Sequence, residues 1–185
     1  HMKIKAVGLT LVLCLSCVLA AGCAGGGSSP TTKQQPAAQQ PAVKQEAKTT
    51  TTEIEKTIYV LPTNGSQTLT PKKIKIKAAQ GQEPLTALKA VVDSNNKSLP
   101  KGTKVLGLTI KDNLAIVNLS KEFLSKGQGE YERTMSLYAI VNTLTEFPNI
   151  KKVLFQADGK NIEVLGQMDL AEPLIRNATY LPKTK

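Results

Sequence analysis

The sequence predicts an α+β fold, a single small domain in which a mixed or antiparallel sheet carries two helices packed on one face. Three observations predict it. Short runs of β-branched and apolar residues alternate with polar ones at a period of two, Asn, Asp and Gly pairs punctuate them, and two longer stretches repeat apolar residues at helical spacing. In chain order this reads strand, strand, helix, hairpin, helix, hairpin, which is α+β rather than a repeated βα unit.

Thr57 to Pro62 is β-branched and aromatic and stops at Pro62, with Asn64-Gly65 supplying a turn, so it reads as a first strand. Lys72 to Ala78 reads as a second, placing Lys73, Lys75 and Lys77 on one side and Ile74 and Ile76 on the other. Glu83-Pro84 opens a helix, because proline at the first helical position gives up an amide hydrogen that would have no partner there. Leu85, Leu88, Val91 and Val92 line one face of it, and Asn95-Asn96 ends it. Val105 to Ile110 and Leu114 to Leu119 form a hairpin around Lys111-Asp112-Asn113, with Leu106, Leu108, Ile110, Ala115, Val117 and Leu119 expected to point inward. A second helix runs from about Glu130 to Glu146, where Leu137, Ile140, Val141, Leu144 and Phe147 recur at helical spacing before Pro148 halts it. Lys152 to Ala157 is a further strand, Asp158-Gly159 a turn and Asn161 to Leu165 a return strand. From Gly166 to Lys185 the tail reads as largely irregular.

The N-terminal segment is targeting apparatus rather than fold. His1-Met2 reads as a cloning remnant, Lys3 and Lys5 are a positive n-region, and Ala6 to Leu19 is almost uninterruptedly apolar up to Ala20-Ala21-Gly22-Cys23. Residues 1–22 therefore read as a signal peptide. An uncleaved membrane anchor is the alternative, which the apolar stretch, near the lower limit of about 17 residues, just permits. Ala20-Ala21-Gly22-Cys23 resembles the lipobox, in which small residues precede a cysteine that takes a diacylglycerol; it departs from the pattern in having Ala20 where Leu, Val or Ile is usual. Cys23 is the expected lipidation site, and the chain is expected to be extracytoplasmic and held at the cell membrane through it. Cys14 and Cys17 sit inside the apolar region as inert residues. From Ala24 to Thr52 the composition is Gly, Ser, Pro, Gln, Ala, Thr and Lys, with Val43 the only large apolar side chain, so residues 23–52 read as a lipidated cysteine and a disordered tether. The folded domain is expected over residues 53–185.

All three cysteines lie at or before position 23 and the single histidine is His1. Disulfides, Cys/His zinc sites, thiol catalysis and Ser-His-Asp chemistry are thereby excluded from the mature domain, and no cofactor is expected. The net charge is +10, and from Glu53 onward 19 Lys or Arg stand against 13 Asp or Glu. With three Phe, four Tyr and no Trp, the stacking platforms that nucleic acid favours are scarce, and anionic lipid or phosphate-rich wall polymer is the more natural counter-charge for an exported chain.

The blocks Leu99-Pro100-Lys101-Gly102-Thr103-Lys104-Val105-Leu106-Gly107, Val117-Asn118-Leu119-Ser120-Lys121-Glu122-Phe123 and Ala139-Ile140-Val141-Asn142-Thr143-Leu144-Thr145-Glu146-Phe147-Pro148 occur in this order. Ile150-Lys151-Lys152-Val153, Asp158-Gly159-Lys160 and Asp169-Leu170-Ala171-Glu172-Pro173-Leu174 follow. Over about residues 57 to 175 the chain resembles the GerMN domain of sporulation and spore-germination lipoproteins. The resemblance implies a fold related to ring-building modules, export commonly with lipidation, and no known catalytic residues; no small-molecule substrate is evident in the sequence. It implies a scaffold in sporulation or germination that contacts other envelope proteins, here with one GerMN copy. The alternative reading is a binding module for peptidoglycan or anionic wall polymer, for which the basic charge is the support.

Candidate sites each have a plain structural reading. Lys73, Lys75 and Lys77 could contact an anionic surface, yet lysines on an edge strand also guard against sheet-to-sheet pairing, and the Lys151-Lys152 pair reads likewise. Thr143, Thr145 and Glu146 end a helix, and no base accompanies the hydroxyls. Glu130, Glu132, Asp158 and Asp169 would serve glycan hydrolysis only as a pair across a cleft. Ser125-Lys126-Gly127-Gln128-Gly129 lacks the Gly-Lys-Ser/Thr ending of a phosphate loop.

Overall fold

The computed structural model describes residues 50–183, so Cys23 and the tether up to residue 49 lie outside the described residues. β1 (Thr51–Val60) and β2 (Thr70–Ala79) form an antiparallel two-stranded sheet. β1 starts six residues earlier than the apolar run suggests, because Thr51 to Lys56 pairs in register with Ile74 to Ala79 and needs only Ile54 as an inward anchor.

α1 (Glu83–Ser94) has Pro84 in its first turn and buries Ala87, Leu88, Val91 and Val92. β3 (Val105–Lys111) and β4 (Leu114–Leu119) form a hairpin whose two central residues, Asp112 and Asn113, have φ of 51° and 62°. Asp and Asn tolerate that left-handed pair, and the turn twist matches the strands. α2 (Glu130–Leu144) then carries the chain across to β5 (Lys152–Ala157), which runs parallel to β4. A parallel neighbour requires such a crossover, so the mixed sheet follows from the position of α2 between the two strands.

β6 (Lys160–Asn161) and β9 (Leu174–Ile175) pair antiparallel with opposite ends of β5, and β7 (Val164–Leu165) pairs with β8 (Met168–Asp169). The return strand is therefore split, not continuous from Asn161 to Leu165. β9 occupies the Lys152–Val153 end of the β5 edge, and the chain leaves that edge once Ile162 N has donated to Phe155 O at 3.0 Å. The tail contains β8, β9 and a 3-10 turn at Ala178–Tyr180, which docks by Leu69 N donating to Tyr180 O at 2.8 Å.

Alternation sets the core. Ala115, Val117 and Leu119 on β4 and Val153, Phe155 and Ala157 on β5 are buried, while the residues between them are partly exposed, so the sheet has one covered face. α1 packs against β1, β2 and β3, α2 against β1, β5 and β9, and the helices touch each other. All five stripe residues of the second helix, Leu137, Ile140, Val141, Leu144 and Phe147, are buried.

Leu106 departs from the inward set and is 51% exposed. The register slips between Val105 and Gly107, so Val105 stands opposite Leu119 and Leu106 has no partner across the ladder. One extra residue in a bulge reverses the alternation upstream of it, which gives the inward place to Val105.

Candidate functional site

An antiparallel register puts opposed side chains on the same face. Lys73 stands opposite Thr57, Lys75 opposite Glu55 and Lys77 opposite Glu53. The three lysines and both glutamates are exposed, so the outer face of the β1–β2 hairpin is a ladder of alternating sign rather than a purely basic stripe. Lys73 Nζ reaches diagonally to within 3.0 Å of Glu55 Oε1. An ion pair this exposed stabilises by at most about 1 kcal/mol, so the ladder adds little to the stability of the fold.

The edges of the hairpin differ. Gln80 N donates to Thr50 O, which identifies even-numbered β1 residues as those bonded to β2. Odd-numbered residues accordingly turn their backbone groups outward, and Tyr59 N donates to Thr143 Oγ1 at 2.9 Å while Leu61 N donates to Asn95 Oδ1 at 2.8 Å. Pro71, opposite Tyr59, occupies an outward position of β2 where no donor is needed. At Glu53 and Glu55 the outer edge of β1 has no backbone hydrogen-bond partner among the described residues.

Where β1 meets the end of α2, a polar cluster forms around Glu146. Tyr59 Oη donates to Glu146 Oε1 at 2.8 Å, and Arg176 Nη2 donates to the same oxygen at 2.7 Å and to Tyr59 Oη at 3.0 Å. Arg176 Nη1 donates to Asn142 O at 2.9 Å and to Thr145 Oγ1 at 3.2 Å. Lys56 Nζ donates to Glu146 O at 3.2 Å and sits 4.8 Å from the centre of the Phe147 ring. Beside them Asn142 donates through Nδ2 to Asn177 O at 3.1 Å and accepts from Asn177 N at 3.0 Å.

Burial raises the Tyr59 phenol above its ordinary range, and its hydrogen bond to Glu146 adds to the rise. For Arg176, burial alone would lower the guanidinium, but the hydrogen bonds to Glu146 and Tyr59 outweigh it and raise the net value. The cluster thus holds a neutral phenol and a permanent cation. It joins β1, the end of α2 and the tail, and so acts as a clasp between three distant segments.

The other residues singled out in the sequence have local partners. Thr145 Oγ1 donates back to Val141 O at 2.9 Å, the ordinary behaviour of a helical threonine. Glu130 accepts from Arg133 Nη1 at 2.9 Å and from Gln167 N at 3.1 Å, Asp158 accepts from Lys121 N at 3.1 Å, and Asp169 accepts from Ala171 N at 2.9 Å. Glu132 shares the first turn of α2 with Glu130. Lys152 lies in a strand with neighbours on both sides, β4 and β9, so it does not guard an edge. Among the described residues, no group of three His, Cys, Asp or Glu is placed to hold a metal ion, and no helix is long and apolar enough to cross a membrane. Arg176 escaped the sequence reading because it lies in a tail without periodicity, and no local pattern links it to Glu146, 30 residues away.

A search of the curated proteins returns no match. Among solved structures, the first GerMN domain of the sporulation protein GerM from Bacillus subtilis is similar at 20% identity and a TM-score of 0.54, covering 66% of this chain and 98% of that one. The tandem GerMN domains of the same protein are similar at 18% identity and a TM-score of 0.54, covering 67% of this chain and 46% of that one. A Clostridium perfringens protein described as a lipoprotein shares 28% identity at a TM-score of 0.44, covering 68% of this chain and 89% of that one. The GerM structures have the α+β fold described above, with two helices against mixed and antiparallel sheets. Matched over residues 57–163, more than half its length, the chain belongs to the Germane family, described as sporulation and spore germination.

Proposed function

We propose that this protein is a non-enzymatic, lipid-anchored module outside the cytoplasmic membrane that docks to other envelope proteins during sporulation or germination. The observation that carries the reading is the β1–β2 hairpin face. It presents a ladder of both charge signs on an exposed surface, with backbone groups of the outer β1 edge unpaired at Glu53 and Glu55. Such an edge accepts an added strand, and the charge ladder selects which strand fits. The Ala20-Ala21-Gly22-Cys23 run supports anchoring through Cys23, and family membership supports the sporulation setting. Its family has no known enzymes, and Glu146, Glu130, Asp158 and Asp169 are all engaged in internal contacts.

A photo-crosslinking residue at Lys75, introduced in the membrane-anchored protein in sporulating cells, tests the docking face. The expected outcome is a discrete protein adduct that disappears when Glu53 and Glu55 are both changed to Lys. If that double variant keeps the adduct and complements a deletion strain, whereas an amide at Glu130, Glu132, Asp158 or Asp169 abolishes complementation in a folded protein, the reading fails in favour of hydrolysis.

A further inference from the structure

We propose that the hollow between the α1–β3 loop and the loop preceding α2 is a binding site for phosphate groups of an anionic polymer. The site is a second activity beside protein docking and does not rest on it. The hollow holds about 470 Å³, and Lys97 and Lys101 line one wall and Lys126 the other, with no Asp or Glu among the lining residues. That volume lies within the usual ligand-site range of about 300–1,000 Å³.

The walls are built rather than incidental. Ser98 N and Leu99 N both donate to Asn95 O at 2.9 Å, and Thr103 donates to Pro100 O through its N at 3.1 Å and through its hydroxyl at 2.7 Å. Leu99 is buried, and Lys97 and Lys101 on either side of it are exposed. The opposite wall is joined to the first by the Gln128 side chain, whose Nε2 donates to Ser98 O. Gly127 has a φ of +120°, a backbone conformation that side-chain-bearing residues rarely adopt, which shapes the second wall. The backbone N–H groups of Lys126 and Gly127 have no hydrogen-bond partner among the described residues.

Three lysines on two separate loops line one hollow without a carboxylate among them, and an anion between them is favoured by their like charge. Asp93 belongs to the adjoining hollow, and Glu122 and Glu132, which lie beside Gly102 and Gly129, are outside the lining. Lysine binds phosphate as a compact point charge, and three of them match the multiple charge of a phosphate-bearing polymer better than a single carboxylate. The hollow is open to solvent and so accessible to a phosphate-bearing chain.

The test uses the full chain in a non-ionic detergent, with tripolyphosphate as the probe. Saturable binding is expected, weakened when salt rises from about 50 to about 200 mM. Changing Lys97, Lys101 and Lys126 together to Gln should weaken it by at least about tenfold, while changing Lys73, Lys75 and Lys77 together to Gln should leave it within about twofold. Replacing the first three by Arg should retain binding, and an unchanged thermal midpoint in each variant keeps the comparison free of folding effects. Displacement by soluble poly(glycerol phosphate) identifies a wall polymer as the source of phosphate, and displacement by phosphatidylglycerol vesicles identifies a lipid surface. Equal losses in the two Gln triples would reduce the site to general basicity, and absence of saturable binding by the unaltered protein would remove it.

Discussion

Arg176 Nη2 lies 2.7 Å from Glu146 Oε1, and this contact ties the segment after β9 to the turn that ends α2. Glu146 also receives the Tyr59 hydroxyl, so one carboxylate oxygen gathers β1, the end of α2 and the tail. Arg176→Ala removes donors to four acceptors and leaves Glu146 with Tyr59 alone at that oxygen. The expected loss is about 1–2 kcal/mol, held down by the partial exposure of the pair. Denaturant unfolding measures it, and limited proteolysis should cut earlier in the tail of the variant. An unchanged stability would show that the clasp is passive.

Tyr59 sets an alkaline limit. Its folded pKa is raised above the ordinary tyrosine value of 10.0 by burial, so the contribution of the neutral phenol is fully present below pH 10 and is lost as pH rises through the folded value. Tyr59→Phe should therefore be less stable than the parent at neutral pH by about 1 kcal/mol, and the difference should shrink above about pH 10. Thermal midpoints of both proteins from pH 7 to about 11 check this. A gap that widens with pH would contradict the assigned state.

Neighbouring positions at the end of α2 should separate sharply. Leu144→Ala removes a fully buried side chain and should cost about 2–5 kcal/mol. Thr143 is also fully buried, and Thr143→Val strands the Tyr59 amide in the core at an expected cost of about 1–3 kcal/mol. Thr145→Ala loses a hydroxyl that bonds back within the helix and accepts one Arg176 contact, and should cost less than either, within about 1 kcal/mol. Urea midpoints in the order Leu144, Thr143, Thr145 from lowest to highest are expected. A Thr145 variant that folds normally but fails to complement a deletion strain would place a functional surface there.

Leu106 stands outside the core because of the bulge in β3. Leu106→Ser should shift stability by no more than about 0.5 kcal/mol. A loss of about 2 kcal/mol or more would mean that Leu106 occupies the inward position instead.

Anchoring is tested at Cys23. Metabolic labelling with a fatty-acid analogue should mark the protein, and Cys23→Ala should abolish the mark and release the protein from membranes. Continued labelling of that variant would exclude Cys23 as the acylated residue.

How much of this was legible in advance differs by element. α1, α2 and the β3–β4 hairpin could be read from local periodicity, Pro84, Pro148 and the Asp112-Asn113 turn, because each of those cues acts within a few residues. The bulge at Val105–Gly107 could not, since alternation counted through a bulge is off by one and nothing local marks the extra residue. Thr51 and Thr52 read as tether and Glu53 to Lys56 as domain residues ahead of the first strand, because the segment has a single large apolar residue, Ile54, and its strand character comes from pairing with β2.

The sequence by itself determined the chemical inventory of the domain, its basic charge, the two apolar helix stripes and the order of the strands and α-helices up to β5, since these depend on residue identity and short-range spacing. Only the tertiary structure decided that Lys75 faces Glu55, that β9 closes the edge beside Lys152, and that Arg176 reaches Glu146 and Tyr59. Those pairings span from 20 to 117 residues of chain and arise when separate elements meet around one core. No periodicity encodes them, because the free energy that selects them is released only when the whole domain closes.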